Sequence, residues 1–335
     1  MEKKGRKQTV ISLLTVTFFF LLIALVFRDD YLAIAEGILS ISPVGVILLF
    51  IMGAGYQLLD AAAYFSLLRS AFPEIRFHQG AAVVFLGVFA NVATFSAGTI
   101  PMQSYYLYRC GMVLGTGVGL AILEYVFHKA AVLLYAVVMA AVYRGWLGEI
   151  FAQSKQYLMI GCAVCALIIV FLILICTWNR IFRLALWVIG KLPSTGKWTE
   201  RKNIWSTNLE ALYKEAQQLL HNRSCRRKVL LLNLVKLCWM YSIPFLCIRL
   251  LGREEISFWQ VQALSAMMML LVGALPNVAG MGPAEFAFLL VFSPYIGHIT
   301  ASSAMILYRL STYFLPFLIS IIVFFKTQKQ MLTRK

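Results

Sequence analysis

Ala97-Gly98-Thr99-Ile100-Pro101-Met102-Gln103 and Ala279-Gly280-Met281-Gly282-Pro283-Ala284-Glu285 carry one pattern twice, A-G-x-x-P-x-[Q/E]. Each copy interrupts an apolar region, residues 80–109 and 258–295. On one side of each break stands a run of about 18 apolar residues, and on the other a shorter or interrupted stretch. Glycine and proline at such a point end a helix before it has crossed and returned as one rod. The pattern therefore predicts two helical hairpins that each re-emerge on the side they entered. Unpaired backbone at membrane depth is tolerated only against protein or a water-filled cavity, so two such breaks point to a cavity between the halves of the chain.

Around these regions lie six longer apolar runs: 9–27, 43–67, 117–143, 157–178, 229–251 and 301–325. Each is near the roughly 20 residues that span a hydrocarbon core as a helix. The chain is 61% hydrophobic and 13% charged, about half the charge of a soluble domain. The expected fold is all-α: a polytopic integral membrane protein with about six spanning helices and two re-entrant helical hairpins. The first run follows Lys3, Lys4, Arg6 and Lys7, as in a signal peptide. It is followed directly by Arg28-Asp29-Asp30 and by no small-residue cleavage site, and so reads as a retained helix.

With both hairpins re-entrant, 22 of the 30 Lys and Arg fall on one side, which the positive-inside rule makes cytoplasmic together with both termini. Only Arg28, Arg144, Lys155, Arg249 and Arg253 fall outside. The net charge of +16 is thus accounted for by membrane orientation, and no nucleic-acid partner is expected. In this topology the first hairpin enters from the cytoplasm and the second from outside. Each is preceded by two spans and followed by one, the arrangement of an inverted repeat. One transmembrane domain, 1–335, would then comprise a first half 1–143 and a second half 157–335. A basic cytoplasmic segment, 179–228, carries apolar residues at helical spacing and reads first as an anchor, then as a contact for anionic lipid headgroups.

Charge inside a span is costly and marks a functional hypothesis. Asp60, Glu124, Lys129 and Arg309 lie within spans, with His128 four residues after Glu124 on the same helical face. Lys236 stands two turns from the basic start of its span and reads as a snorkelling residue. Glu285 carries the most weight: it follows the second break at the start of a short helix, where the helix dipole favours a carboxylate. Its structural alternatives are an N-terminal cap or an ion pair with Arg309. The seven cysteines do not form a disulfide framework, and Cys162-x-x-Cys165 lacks the second pair that a metal site needs. No nucleotide-binding, zinc-peptidase or serine-hydrolase signature is present, and no cofactor is expected.

Three stretches together resemble one family. They are the segment from Thr94 to Leu107, the segment from Pro276 to Glu285, and Leu307-Tyr308-Arg309-Leu310-Ser311-Thr312-Tyr313-Phe314-Leu315-Pro316. They are similar to the T-P-F-A-S-G-G-Q-P-M-Q-x-Y-Y-L, P-x-x-G-G-x-G-x-x-E and L-W-R-x-x-T-Y-Y-L-P segments of the transmembrane region of lysylphosphatidylglycerol synthase, the multiple peptide resistance factor. Thr99 and Ile100 depart from it, standing where that family has Gly and Gln. The resemblance implies a flippase-like membrane region that moves aminoacylated phosphatidylglycerol between leaflets. In full-length relatives a separate cytosolic domain makes that lipid, and here the expectation is the stand-alone form without it.

The expected function is therefore lipid translocation, with a membrane phospholipid as partner. The candidate residues are Asp60, Gly98, Pro101, Gln103, Arg109, Glu124, Lys129, Gly280, Gly282, Glu285 and Arg309. Two rivals are a phosphatidylglycerol lysyltransferase or its membrane subunit, and a membrane scaffold acting through the cytoplasmic segment.

Overall fold

A computed structural model describes residues 31–152, 155–192, 197–253, 255–273 and 282–333. The expected first span, 9–27, and Gly280 lie outside the described residues. The described chain is helical, with no strand in it. In chain order its helices are α1 (Tyr31–Leu39), α2 (Pro43–Ala71), α3 (Phe77–Ala93), α4 (Thr99–Arg109), α5 (Leu114–Val142), α6 (Arg144–Ile150) and α7 (Lys155–Thr177). There follow α8 (Asn179–Gly190), α9 (Lys197–His221), α10 (Arg223–Leu250), α11 (Phe258–Val272), α12 (Pro283–Ile296) and α13 (His298–Arg309). A π-helical turn (Leu310–Phe314) then joins α13 to α14 (Leu315–Thr333). Five stretches are long and apolar enough to cross a membrane: Pro43–Ala71, Leu114–Val142, Met159–Thr177, Arg223–Leu250 and His298–Gln328. They coincide with five of the six expected spans.

Local chemistry sets several helix ends. Ser42 caps α2 by accepting from the Gly45 N–H, and Pro43 occupies the first turn, where its missing N–H costs nothing. The Cys225 N–H donates to Asn222 Oδ1 at the start of α10. The π turn has a cause in the sequence. Pro316 can neither donate a backbone bond nor sit against the carbonyl one turn back, and a local widening of the ladder relieves both.

Both broken regions fold as antiparallel hairpins. In the first, Gln79 Nε2 at the start of α3 lies 3.7 Å from Cys110 Sγ just past the end of α4. In the second, the Tyr295 hydroxyl at the end of α12 donates to Gln260 Oε1 at the start of α11, at 2.7 Å. Each hairpin thus brings its two outer ends together, as the Gly/Pro breaks predict.

The hydrophobic interior divides into two clusters. One gathers Leu67, Leu86, Leu107, Leu120 and Val229 around the first hairpin, with Leu212 and Leu219 of α9 packed onto it. The other gathers Leu49, Val132, Leu237, Leu264, Phe288 and Leu307 around the second. The long helices α2, α5, α7 and α10 run through both, with Cys165 and Ile169 of α7 in one and Cys176 in the other, and α2 packs along α10 more extensively than any other described pair. The described parts of the hairpins therefore sit in separate cores joined by four long helices, rather than meeting face to face across a cavity.

Candidate functional site: ion pairs buried between two broken helices

The boundary between the two cores is polar. On α2, Gln57 and Asp60 stand between Leu49 of one cluster and Leu67 of the other. On α5, Glu124 and His128 fall between Leu120 and Val132, and on α10, Asn233 and Lys236 fall between Val229 and Leu237. Each pair is three or four residues apart and so shares a helical face. Asp60, Glu124 and Lys236 each lie roughly ten to thirteen residues, about 15–20 Å, from the Ala71, Leu114 and Arg223 ends of their helices. That is membrane depth.

Lys236 joins the three helices. Its Nζ lies 2.7 Å from Asp60 Oδ1 and 3.6 Å from Glu124 Oε1, with the lysine side chain 1% exposed and the carboxylates 22% and 20%. The snorkelling expected of Lys236 is therefore corrected. Its stem runs inward because two carboxylates offset the desolvation of its ammonium, whereas a snorkelling lysine would turn toward the headgroups. Lys236 is the residue that sequence reasoning undervalued, because Asp60 and Glu124 are far from it along the chain and only the packing of α2, α5 and α10 brings the three together.

A second ionic group forms at the second break. Gly282, with φ 94°, takes a backbone conformation that favours glycine, and Pro283 begins α12. The Gly282 N–H donates to Glu285 Oε2 at 2.7 Å, while Arg309 Nε lies 2.7 Å from Glu285 Oε1. Glu285 is thus cap and ion-pair partner at once, one oxygen for each. The Arg309 guanidinium also lies over the Tyr313 ring, 4.4 Å from its centroid, inside the π turn. From that turn the Ser311 hydroxyl donates to the Leu49 carbonyl of α2 at 2.6 Å.

The remaining candidates separate by place. Lys129 is buried, with its Nζ 3.4 Å from where a Cβ on Gly273 would stand, at the C-terminal end of α11. The end of the helix dipole there favours a cation. Gly98, Pro101 and Gln103 belong to the first break. There Phe95 and Ser96 have φ of 55° and 73°, and the Gly98 N–H donates to Thr94 Oγ1. Such backbone in non-glycine residues costs of order 1–3 kcal/mol each and is held by its surroundings. Gln103 Nε2 donates to the Val83 carbonyl at 3.4 Å, so its bond stays within its own hairpin. Arg109 lies in the last turn of α4, away from the break. Asp60 and Glu124 therefore come together, as do Gly282, Glu285 and Arg309, while the first-hairpin set stands apart. Tyr56 lies near Asp60 and Glu124, and Tyr308, next to Arg309 in the chain, lies near Glu285.

At the other end of the molecule, α8 leaves Leu184, Trp187 and Val188 exposed, and Lys191 Nζ lies 4.1 Å from the Trp187 ring centroid. Aromatic and aliphatic surface beside basic heads suits a membrane interface. Cys165 sits buried with its Sγ against the Leu271 carbonyl, a packing contact between α7 and α11.

Among curated proteins nothing matches the chain. A family model described as Lysylphosphatidylglycerol synthase TM region matches residues 10–320. Nearly the whole sequence lies under that match, and the chain, a multi-pass membrane protein, belongs to this family.

Proposed function

We propose that this protein moves a phospholipid, such as aminoacylated phosphatidylglycerol, between the leaflets of the cell membrane. The observation that carries the reading is the burial of the Asp60–Lys236–Glu124 and Glu285–Arg309 groups at membrane depth, the second directly on a helical break. Ionisable groups in spans are expensive and mark pathways for polar cargo. A helix bundle serving only as a scaffold would gain as much from apolar packing. The headgroup would pass the polar boundary between the two cores while its tails stay in lipid. Membrane lipid is the partner at every face, and anionic headgroups are the proposed contact of Arg180, Arg183 and Lys191.

The two hairpins are further read as halves of an inverted repeat, with both termini cytoplasmic. Under that reading α2 and α10 are equivalent helices, and their close packing supports it, since equivalent helices beside a pseudo-two-fold axis touch.

Reconstitution in liposomes tests the transport reading. Labelled aminoacylated and plain phosphatidylglycerol should exchange between leaflets faster than in protein-free vesicles, and Glu285→Gln should slow that exchange. If all lipids stay in place, translocation is wrong. Aminoacylated lipid appearing on addition of charged tRNA would favour the synthase reading instead.

A further inference from the structure

The polar boundary holds two carboxylates and one ammonium. Lys236 balances Asp60 or Glu124, and one negative charge remains. Lys129, the nearest other cation along α5, is turned to the end of α11 at Gly273. The other titratable groups facing the boundary are Tyr56 and Tyr64 of α2, His128 of α5, Tyr241 of α10 and Tyr308 of α13. None of these supplies a fixed positive charge.

A second observation points the same way. Gln57 Oε1 and Asn233 Oδ1 are buried acceptors with no hydrogen-bond partner among the described residues, and the Tyr64 hydroxyl and His128 Nδ1 share that condition. Gln57 precedes Asp60 by three residues and Asn233 precedes Lys236 by three, so each shares the charged face of its helix. Buried acceptors left without donors cost about 1–3 kcal/mol apiece. Excess negative charge together with idle acceptors calls for one positive group that carries hydrogen-bond donors. Both carboxylates keep about a fifth of their side-chain surface exposed, which gives such a group a way in.

We propose that this boundary is a single-cation exchange site: a proton on Glu124 occupies it in the empty protein, and the primary ammonium of a lipid headgroup displaces that proton. Glu124 is the carrier because Lys236 holds Asp60 closer, 2.7 Å against 3.6 Å. The exchange balances. As the R–NH3+ group docks, the Glu124 O–H bond breaks, its proton goes to water, and the ammonium keeps all three hydrogens. A quaternary ammonium brings the charge but no N–H donors, so it leaves Gln57 and Asn233 unsatisfied. The displacing lipid rests on the transport reading; the proton-holding site does not.

The test is calorimetric binding to the purified full chain, repeated in two buffers of different ionisation enthalpy to count protons released. Dihexanoyl phosphatidylethanolamine and dihexanoyl phosphatidylcholine are the probes, alike in net charge and tails. The ethanolamine lipid should bind with release of up to one proton, and the choline lipid should bind about tenfold or more weaker. Glu124→Gln should abolish the proton release; should that variant fail to fold, Asp60→Asn removes the same excess charge. Equal binding of the two lipids, or binding without proton release, overturns the proposal. So does competition by sodium chloride that choline chloride does not reproduce, which would make this a metal-cation site. Leaflet exchange is measured separately. Exchange without proton release sinks the cation site alone, and proton release without exchange sinks the transport reading alone.

Discussion

Arg309 Nε lies 2.7 Å from Glu285 Oε1, and the two side chains are 11% and 13% exposed. The pair ties the start of α12 to the end of α13 where the helix widens into its π turn. Removing one member strands the other charge in a poorly solvated place. Arg309→Met should therefore destabilise by about 3–5 kcal/mol. The double variant Glu285→Gln/Arg309→Met removes both charges and should recover part of that loss. Melting temperatures of the single and double variants in detergent decide it. A double variant no more stable than Arg309→Met would mean that the pair contributes through packing alone.

The three-membered group predicts an order. Lys236→Met leaves Asp60 and Glu124 facing each other without a cation and should be the most damaging, by roughly 3–5 kcal/mol. Asp60→Asn keeps the cation against Glu124, at the cost of the shorter contact. Glu124→Gln replaces a carboxyl that holds a proton in the empty protein with a neutral group of the same shape, and should cost least. Melting of the three variants checks the ranking, and a Lys236→Met protein as stable as Glu124→Gln would contradict it.

Much of this was legible in the sequence because the signals were local. Apolar length marked the spans, and Gly98, Pro101, Gly282 and Pro283 marked the two breaks. Glu285 was legible too, down to its two structural alternatives, which the structure realises together. Lys236 was not. Position in a span suggests snorkelling, and only the juxtaposition of α2, α5 and α10 reveals two acids waiting for it. The division into two cores was equally hidden, since it depends on which face of each long helix meets which hairpin. Spacing along one chain carries no record of that.

Close helix approach yields another prediction. A Cβ on Gly53 would collide with the backbone carbonyl of Ser311 in the π turn, so α2 can dock there only without a side chain. Gly53→Ala should cost about 1–3 kcal/mol as α2 or the turn is pushed away. Gly115 has nothing within 4 Å of the same position. Gly115→Ala should accordingly be neutral, or stabilising by up to about 1 kcal/mol through helix propensity. Equal melting of the two variants would refute the contact.

Orientation can be checked at the hairpin ends. In a cysteine-free background, Glu74→Cys and Val113→Cys flank the first hairpin, and Glu255→Cys and Ile299→Cys flank the second; all four positions are exposed. A membrane-impermeant maleimide added to whole cells should label the second pair alone, and in inverted vesicles the first pair alone. Labelling of all four from one side would place both hairpins on that side and end the inverted-repeat reading.

The last prediction concerns pH at helix α9. Glu215 is buried where α9 crosses α5, against Gly119, on which a Cβ would meet Glu215 Cγ at 2.7 Å. Burial raises its carboxyl above the ordinary value of 4.5, outweighing the hydrogen bond from Thr116 and the charge of Lys214, which both act to lower it. The folded protein therefore binds this proton more tightly than the unfolded chain does. The resulting stabilisation is complete below about 4.5 and is lost as pH rises through the raised value, after which it stays lost. Glu215→Gln keeps the shape and removes the titration. Melting of the two proteins across roughly pH 4 to 8 should show the natural protein losing stability relative to the variant as pH rises from its acidic end. Parallel curves would mean that Glu215 titrates as it would in water, and that α9 does not hold it in the dry contact with α5 that its burial against Gly119 describes.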